Sequence, residues 1–173
     1  MEQISESKKT RKISAQRESF TIAAQKCELY TDVIVPLINK INNELSEKKI
    51  EVLERSTLEI IWGKLKWKLG FLNEEERDTV MIKMGTLDLL NKLDALAVFF
   101  VAWVANDDVG YLNFGRSFCY TGKRFIPLIA DFYELGHYQS LIDLYTIWQR
   151  RITQEELEKQ KIQIARNHWK RCI

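Results

Sequence analysis

Two histidines, three cysteines and a handful of clustered acids are what this chain offers for chemistry. His137 sits in "ELGHYQ" and His168 in "ARNHWKRC". Neither has a second histidine or a cysteine at a metal-ligand spacing, and no HExxH or CxxC occurs. His137 follows Gly136, a natural helix stop, and reads as a loop or helix-start residue. A nucleophile needs a base within hydrogen-bond reach, and nothing in the order of residues brings Cys119 to a histidine. Burial as a small apolar residue suits Cys119 better. Helical ribonucleases that use two polar residues generally place an arginine about a turn and a half before a histidine. Here Arg166 and His168 are two apart and point to different helix faces. The single glycines of "LGFLNEE" and "NFGRSF" do not make a phosphate loop. Asp94, Asp107 and Asp108 could supply oxygen ligands to a divalent cation, but the last two already serve as helix-capping residues. The expectation is a protein with no catalytic set, no metal and no cofactor.

Two basic-aromatic clusters are more suggestive. "GKLKWKL" places Lys64, Lys66 and Lys68 around Trp67, and "ARNHWKRC" places Arg166, Lys170 and Arg171 around Trp169. Cations for phosphates beside aromatic faces for stacking are the elements of single-strand nucleic-acid binding. The competing reading is structural: on a helix, Trp62, Leu65 and Leu69 form a buried stripe, while Lys64 and Lys68 line a solvated face.

The elements that must position these residues read as helices. The 173 residues are 46% hydrophobic and 29% charged, with only 7 Gly and 2 Pro. That composition suits one globular domain of long helices joined by short loops. A net charge of +2 provides no single-sign field to draw in nucleic acid or an anionic bilayer. Isolated cysteines and a start without an apolar core point to a reducing cytoplasm and no secretory signal.

Residues 1–13 are expected to form a flexible basic tail, and 14–173 a single helical domain. Phe20, Ala24, Cys27, Ile34, Ile38, Ile41 and Leu45 recur at spacings of three and four, an apolar stripe that could meet a partner helix or a second copy. Pro36 falls inside it and predicts a kink near Val35. Ile50, Val52 and Leu53 fit a short strand or a first helical turn, and loop or helix is expected because no second strand-like run is recognised to pair with them. Ser56 and Glu59 then form a capping-box pattern that would open a helix to Leu69. Asn73 with Glu74, Glu75 and Glu76 marks another helix start. Thr86 would cap the helix through "LDALAVFFVAWVANDD". Pro127 interrupts the pattern that follows. Leu141, Leu144, Tyr145, Trp148 and Ile152 form a further stripe, and Thr153 with Glu156 a box opening a last helix, with an exposed Glu155–Lys159 pair.

The apolar run Ala95 to Ala105 covers 11 residues, about 16 Å at roughly 1.5 Å per residue. A membrane span needs about 20, and Asp88, Lys92, Asp94, Asp107 and Asp108 flank the run. A helix apolar on every side is instead buried on every side. The fold expected is an all-α multi-helix bundle, with a central buried helix near 86–105 and a long N-terminal helix kinked near Pro36.

Leu87 to Arg150 resembles a widespread family of small all-helical prokaryotic proteins, a domain of unknown function. The resemblance rests on Leu90, Asn91, Leu93, Asp94 and Ala97, on the acidic turn Asp107–Asp108, and on Gly115, Phe118, Pro127, Ile129, Leu144 and Trp148. It implies a helical fold and carries no activity. Members tend to have an N-terminal membrane helix, where polar residues stand here. The function expected is a non-enzymatic interaction or regulatory subunit of a prokaryotic or phage-encoded system. Nucleic-acid binding through the two basic-aromatic clusters is the alternative.

Overall fold

Pro36 lies inside the first long helical stretch, and the backbone before it is built around its missing N–H. The computed structural model of the chain describes residues 2–48, 57–61, 64–68, 79–129 and 136–171. Helix α1 spans Glu2–Leu29, a π-helical turn takes Tyr30–Ile34, and α2 continues over Val35–Glu47. Proline leaves the carbonyl four residues earlier without its helical donor. The Val35 N–H bonds to the Tyr30 carbonyl, five residues back rather than four. The irregularity expected near Pro36 is therefore a wide turn holding one additional residue.

That residue rotates everything upstream of it. Beyond the turn Ile34, Ile41 and Leu45 are buried as the stripe requires, with Ile38 packed at its margin. Ahead of the turn Ala23 is buried, and Tyr30 at its first position, while Phe20 and Ala24 are exposed and Cys27 is half-buried. The face has slipped by about one position from the heptad reading. The expected tail, 1–13, is helical from Glu2 onward. No Gly or Pro interrupts it, and strong helix formers such as Glu, Lys and Arg dominate it.

The helix expected from Ser56 to Leu69 does not form. Thr57–Ile61 (β1) and Lys64–Lys68 (β2) pair antiparallel, with Leu58 opposite Trp67, Glu59 opposite Lys66 and Ile60 opposite Leu65. Lys64–Lys68 alternates polar and apolar residues throughout and Thr57–Ile60 does so too, a period of two that suits a ribbon. Each run is the other's partner, and the loop or helix expected around Ile50–Leu53 lies outside the described residues. β1 rests beside the helix Arg116–Phe125 and the 3₁₀ turn that follows it. The helix start expected at Asn73 lies outside the described residues.

A π turn, Thr79–Lys83, buries Val80 and Met81 and leads into α3, Thr86–Val101. Its N-cap is Gly85, in the left-handed conformation at φ 79°, and not Thr86, which is buried. Helix α4 (Asp107–Gly110), a π turn (Tyr111–Gly115) and α5 (Arg116–Phe125) follow, ended by the 3₁₀ turn Ile126–Ile129 that carries Pro127. Helix α6 then runs unbroken over Gln139–Arg171. Thr153 opens nothing: its hydroxyl donates back to the Gln149 carbonyl at 2.9 Å inside this helix. No Gly or Pro lies between Gln139 and Arg171 to stop it.

These helices pack as an all-α bundle with the β ribbon at its side. The core lies between α3 and α6. Leu89, Leu90, Leu93, Leu96, Ala97 and Phe100 face Leu141, Leu144, Tyr145, Trp148 and Ile152. Asp94 fixes their register by accepting the Leu141 N–H at 2.8 Å. Phe100, Phe114 and Phe118 each meet Trp148 edge-on, with centroids 5.5, 5.3 and 5.2 Å away. Such pairs add about 0.5–1.5 kcal/mol beyond their burial.

One expectation about α3 needs correction. Its neighbours cover one side, and Ala95 and Val98 (45% exposed) face solvent on the other. The turn that ends the helix is open too, with Ala102 exposed, Trp103 79% exposed and Val104 44%. Phe99 and Val101 are half-buried. An apolar sequence dictates that a helix needs neighbours; among the described residues α6, α2 and the π turns at Tyr30–Ile34 and Thr79–Lys83 supply them, and they leave the side of Val98 open. Among the described residues, no helix is long and apolar enough to cross a membrane.

Candidate functional site

The uncovered face of α3 borders a groove shared with α1. The two helices run antiparallel: the Ser19 carbonyl accepts the Asn106 N–H at 3.1 Å, and further along Lys26 lies over Phe99. Leu29 at the end of α1 with Val33 and Ile34 of the π turn on one side, and Ala95, Leu96 and Phe99 on the other, line a groove of about 180 Å3. Leu29 and Val33 remain 38% and 40% exposed. Lys26 and Lys92 stand at the rim. The Lys26 ammonium is 3.6 Å from the centre of the Phe99 ring, a cation–π contact. Lys92 pairs with Asp88 one turn earlier at 2.9 Å.

At the C-terminal end of α3 the chain makes a Schellman turn. The Trp103 N–H donates to the Phe100 carbonyl at 3.1 Å and the Val104 N–H to the Phe99 carbonyl at 3.0 Å. Glycine ordinarily takes the left-handed position of this motif. Here Trp103 takes it, at φ 58°. A side chain there costs on the order of 1 kcal/mol. Its indole nevertheless stays out in solvent.

Asn106 then caps α4 by accepting the Val109 N–H at 3.0 Å, and the acidic turn follows. Asp107 accepts the Trp148 indole N–H at 2.7 Å, and Arg151 reaches Asp108 at 3.0 Å. The Arg151 guanidinium lies 3.9 Å from the Tyr111 ring centre. Glu155 accepts the Tyr111 hydroxyl and an Arg116 N–H, both at 2.8 Å. These two bonds hold the Glu155 carboxyl below the usual carboxylate range. Burial and the Glu155 carboxylate push the Tyr111 phenol up to about 12. The network clamps α4 and its π turn to α6. It accounts for Glu155, which was expected to pair with Lys159 along its own helix.

The carboxylates weighed as cation ligands are thus engaged with protein donors. Asp94 holds the Leu141 N–H, Asp107 the indole, and Asp108 the Arg151 guanidinium. Among the described residues no three His, Cys, Asp or Glu side chains gather as a metal site. Cys119 is buried, and burial raises its thiol to about 12, far from a reactive thiolate. Cys27 is raised as well, by partial burial and then by Glu28. His137 is exposed beside the start of α6.

The stripe proposed as a partner face divides in two. Ile34, Ile41 and Leu45 are spent in the core, and Phe20 and Ala24 remain exposed. The two basic-aromatic clusters fall on different elements: Lys64, Lys66, Trp67 and Lys68 on β2, and Arg166, Trp169, Lys170 and Arg171 on the last turns of α6. Their side chains lie outside the described residues. Sequence reasoning weighed Phe99, Phe100 and Trp103 as a pocket lining, of which Phe99 does border the groove, and missed Lys26, Leu29, Val33 and Lys92. The turn at Trp103 had one signal: the run from Thr86 to Val109 holds no Gly, so an apolar helix had to turn on a residue with a side chain. No protein-family model, curated protein or solved structure matches the chain.

Proposed function

We propose that the protein is a non-enzymatic interaction subunit, an accessory or regulatory component of a prokaryotic or phage-encoded system, working in the cytoplasm. The observation that carries this reading is the apolar run from Ala95 on α3 to Val104 in the turn that ends it. It has no charged residue, and Val98, Trp103 and Val104 stand open to solvent. A contiguous apolar surface bounded by polar residues marks a place where another macromolecule sits. The engagement of the acidic turn in structural bonds also favours binding over catalysis. Affinity capture with the native chain and with Val98→Glu tests it. A specific partner retained by the first and lost by the second, with equal helical circular dichroism, supports the reading. A partner held equally by both removes α3 from the role.

Nucleic-acid binding stays as a second reading because of the ribbon. Lys64, Lys66 and Lys68 occupy alternate positions of β2, which in an extended strand belong to one face. Neutralising them together with Arg166, Lys170 and Arg171 would abolish a salt-dependent gel shift under this reading only.

A further inference from the structure

We infer that the protein holds the phosphates of a DNA duplex with two basic helical arms, the first half of α1 and the last half of α6, which leave the body at the same end. The inference rests on the second reading above, nucleic-acid binding, and moves the contact from the ribbon to the two long helices.

The direction of each helix brings the arms to one end. Helix α1 runs against α3, with Ser19 on Asn106 and Lys26 on Phe99. Helix α6 runs with α3: Leu141 meets Asp94, Trp148 meets Phe100, and Glu155 meets Tyr111 beyond the end of α3. The part of α1 before Ser19 and the part of α6 after Glu155 therefore both pass the C-terminal end of α3. At about 1.5 Å per residue each arm extends about 25 Å. Neither is covered, since residues 10–18 and 156–165 are all exposed. A helix without neighbours, polar on most sides, is held by charge pairs along its own surface or serves to reach something else. Among the described residues, no ion pair links side chains along either arm.

The arms carry charge of one sign. Residues 7–17 hold five Lys and Arg, residues 159–171 hold five more, and neither stretch holds an acid. That places 10 of the chain's 26 basic residues and none of its 24 acids on the arms. The net charge of +2 thus conceals a positive pole on a body that is acidic overall. Arg11, Lys12, Arg17, Lys159 and Lys161 are exposed and make no ion pair with a described residue. A pole of unneutralised cations is the complement of a polyanion.

What the arms lack selects the polyanion. Residues 2–19 contain no aromatic side chain, and residues 156–171 contain only Trp169 besides His168. A single strand is held by stacking its bases on aromatic rings. A duplex hides its bases and offers phosphates, which cations alone can hold. An α-helix, about 10–12 Å across, fits the major groove of B-DNA, about 12 Å wide, and not the narrow one of an RNA duplex. A bilayer would need one broad apolar face on each arm. Ile13 is the one large apolar side chain of residues 10–18, and Leu157 and Ile162 lie about 140° apart around α6.

Fluorescence anisotropy of the full chain with a labelled, mixed-sequence DNA duplex over stepped KCl tests this. The native chain should bind at about 50 mM salt and weaken steeply as salt rises, with a log–log slope of about −0.9 for each phosphate neutralised. The triple variant Arg11→Gln, Lys12→Gln, Arg17→Gln should bind roughly tenfold or more weakly, with a flatter slope and unchanged helical circular dichroism. The double variant Lys159→Gln, Lys161→Gln should behave likewise. Neutralising Lys64, Lys66 and Lys68 should leave binding as it was, and so should Val98→Glu. No binding at about 50 mM KCl overturns the inference, and so do arm variants that bind as the native chain does. A single strand of equal length held more tightly than the duplex overturns it too. So does a chain that ignores the duplex and sediments with phosphatidylserine vesicles. A loss confined to the ribbon variant overturns the arms and leaves the nucleic-acid reading standing.

Discussion

The indole N–H of Trp148 and the carboxylate of Asp107 meet at 2.7 Å, joining the most buried aromatic of α6 to the first residue of α4. Trp148 is fully buried, so its only polar atom depends on this acceptor. Removing the acceptor would strand a buried donor, at about 1–3 kcal/mol. Asp107→Ala should lower stability by about 2 kcal/mol in urea denaturation followed by tryptophan fluorescence. Asp107→Asn keeps an oxygen for the indole and loses mainly the Arg151 contact at 3.5 Å, so it should cost less than half as much. Equal losses in the two variants would show that the indole bond is unimportant.

Gly110 lets α4 lie against Phe100. A Cβ at Gly110 would fall onto the Phe100 ring, which is itself buried among Phe114 and Trp148. The ring has nowhere to retreat, since protein cores are packed like crystals. Gly110→Ala should therefore destabilise by about 1–3 kcal/mol, despite the better helix propensity of alanine. Thermal melting would decide the sign: a raised midpoint would mean that the ring yields easily.

Backbone strain at Trp103 can be separated from its side chain. Alanine removes the indole and keeps a Cβ in the left-handed region, while glycine removes both. Trp103→Gly should be more stable than Trp103→Ala by about 1 kcal/mol, measured by chemical denaturation. Identical midpoints would mean that the turn relaxes without cost.

Cys119 offers a chemical check on packing. Its thiol, buried and raised to about 12, should resist a disulfide exchange reagent at pH 8 until the protein unfolds. In a Cys172→Ser background only the half-buried Cys27 should then react under native conditions, and slowly. Rapid modification of two thiols would show that α5 and α6 separate readily.

Much of this arrangement was readable from side-chain spacing. Leu141, Leu144, Tyr145, Trp148 and Ile152 mark one face of a helix, and that face is the one buried. The polar ends of the apolar run excluded a membrane span before any coordinates. What escaped was set by interactions between distant residues. Over 57–68 helical and extended patterns compete, and the chain takes the extended one, with Thr57–Ile61 paired to Lys64–Lys68. The π turn before Pro36 shifts the face of α1 by a residue, so Ala23 replaces Ala24 in the core. Hydropathy declares that α3 is apolar all round. It cannot declare how many neighbours the chain has left to cover it, and here that number falls short on the side of Val98.

Acid should weaken the clamp between the π turn and α6 in a predictable direction. The Tyr111 hydroxyl and then Arg116 hold Glu155 below its ordinary value of 4.5, so the folded state prefers the ionised form. A carboxyl depressed in this way contributes stability that is complete above the ordinary value and is lost as the pH falls through the folded one. The native chain and Glu155→Gln should therefore differ in stability at pH 7 and converge as the pH drops below about 4.5. Tyr111→Phe removes the first of the two donors and should move that convergence to higher pH. At the other end, the phenol raised to about 12 works in the opposite sense. Its contribution is whole below the ordinary tyrosine value of 10 and fades as the pH climbs toward 12. Stability of the three proteins measured by urea denaturation from pH 3 to pH 8 checks the acid limb. A gap between native and Glu155→Gln that persists unchanged to pH 3 would mean that the Tyr111–Glu155–Arg116 contacts do not depend on the carboxylate charge.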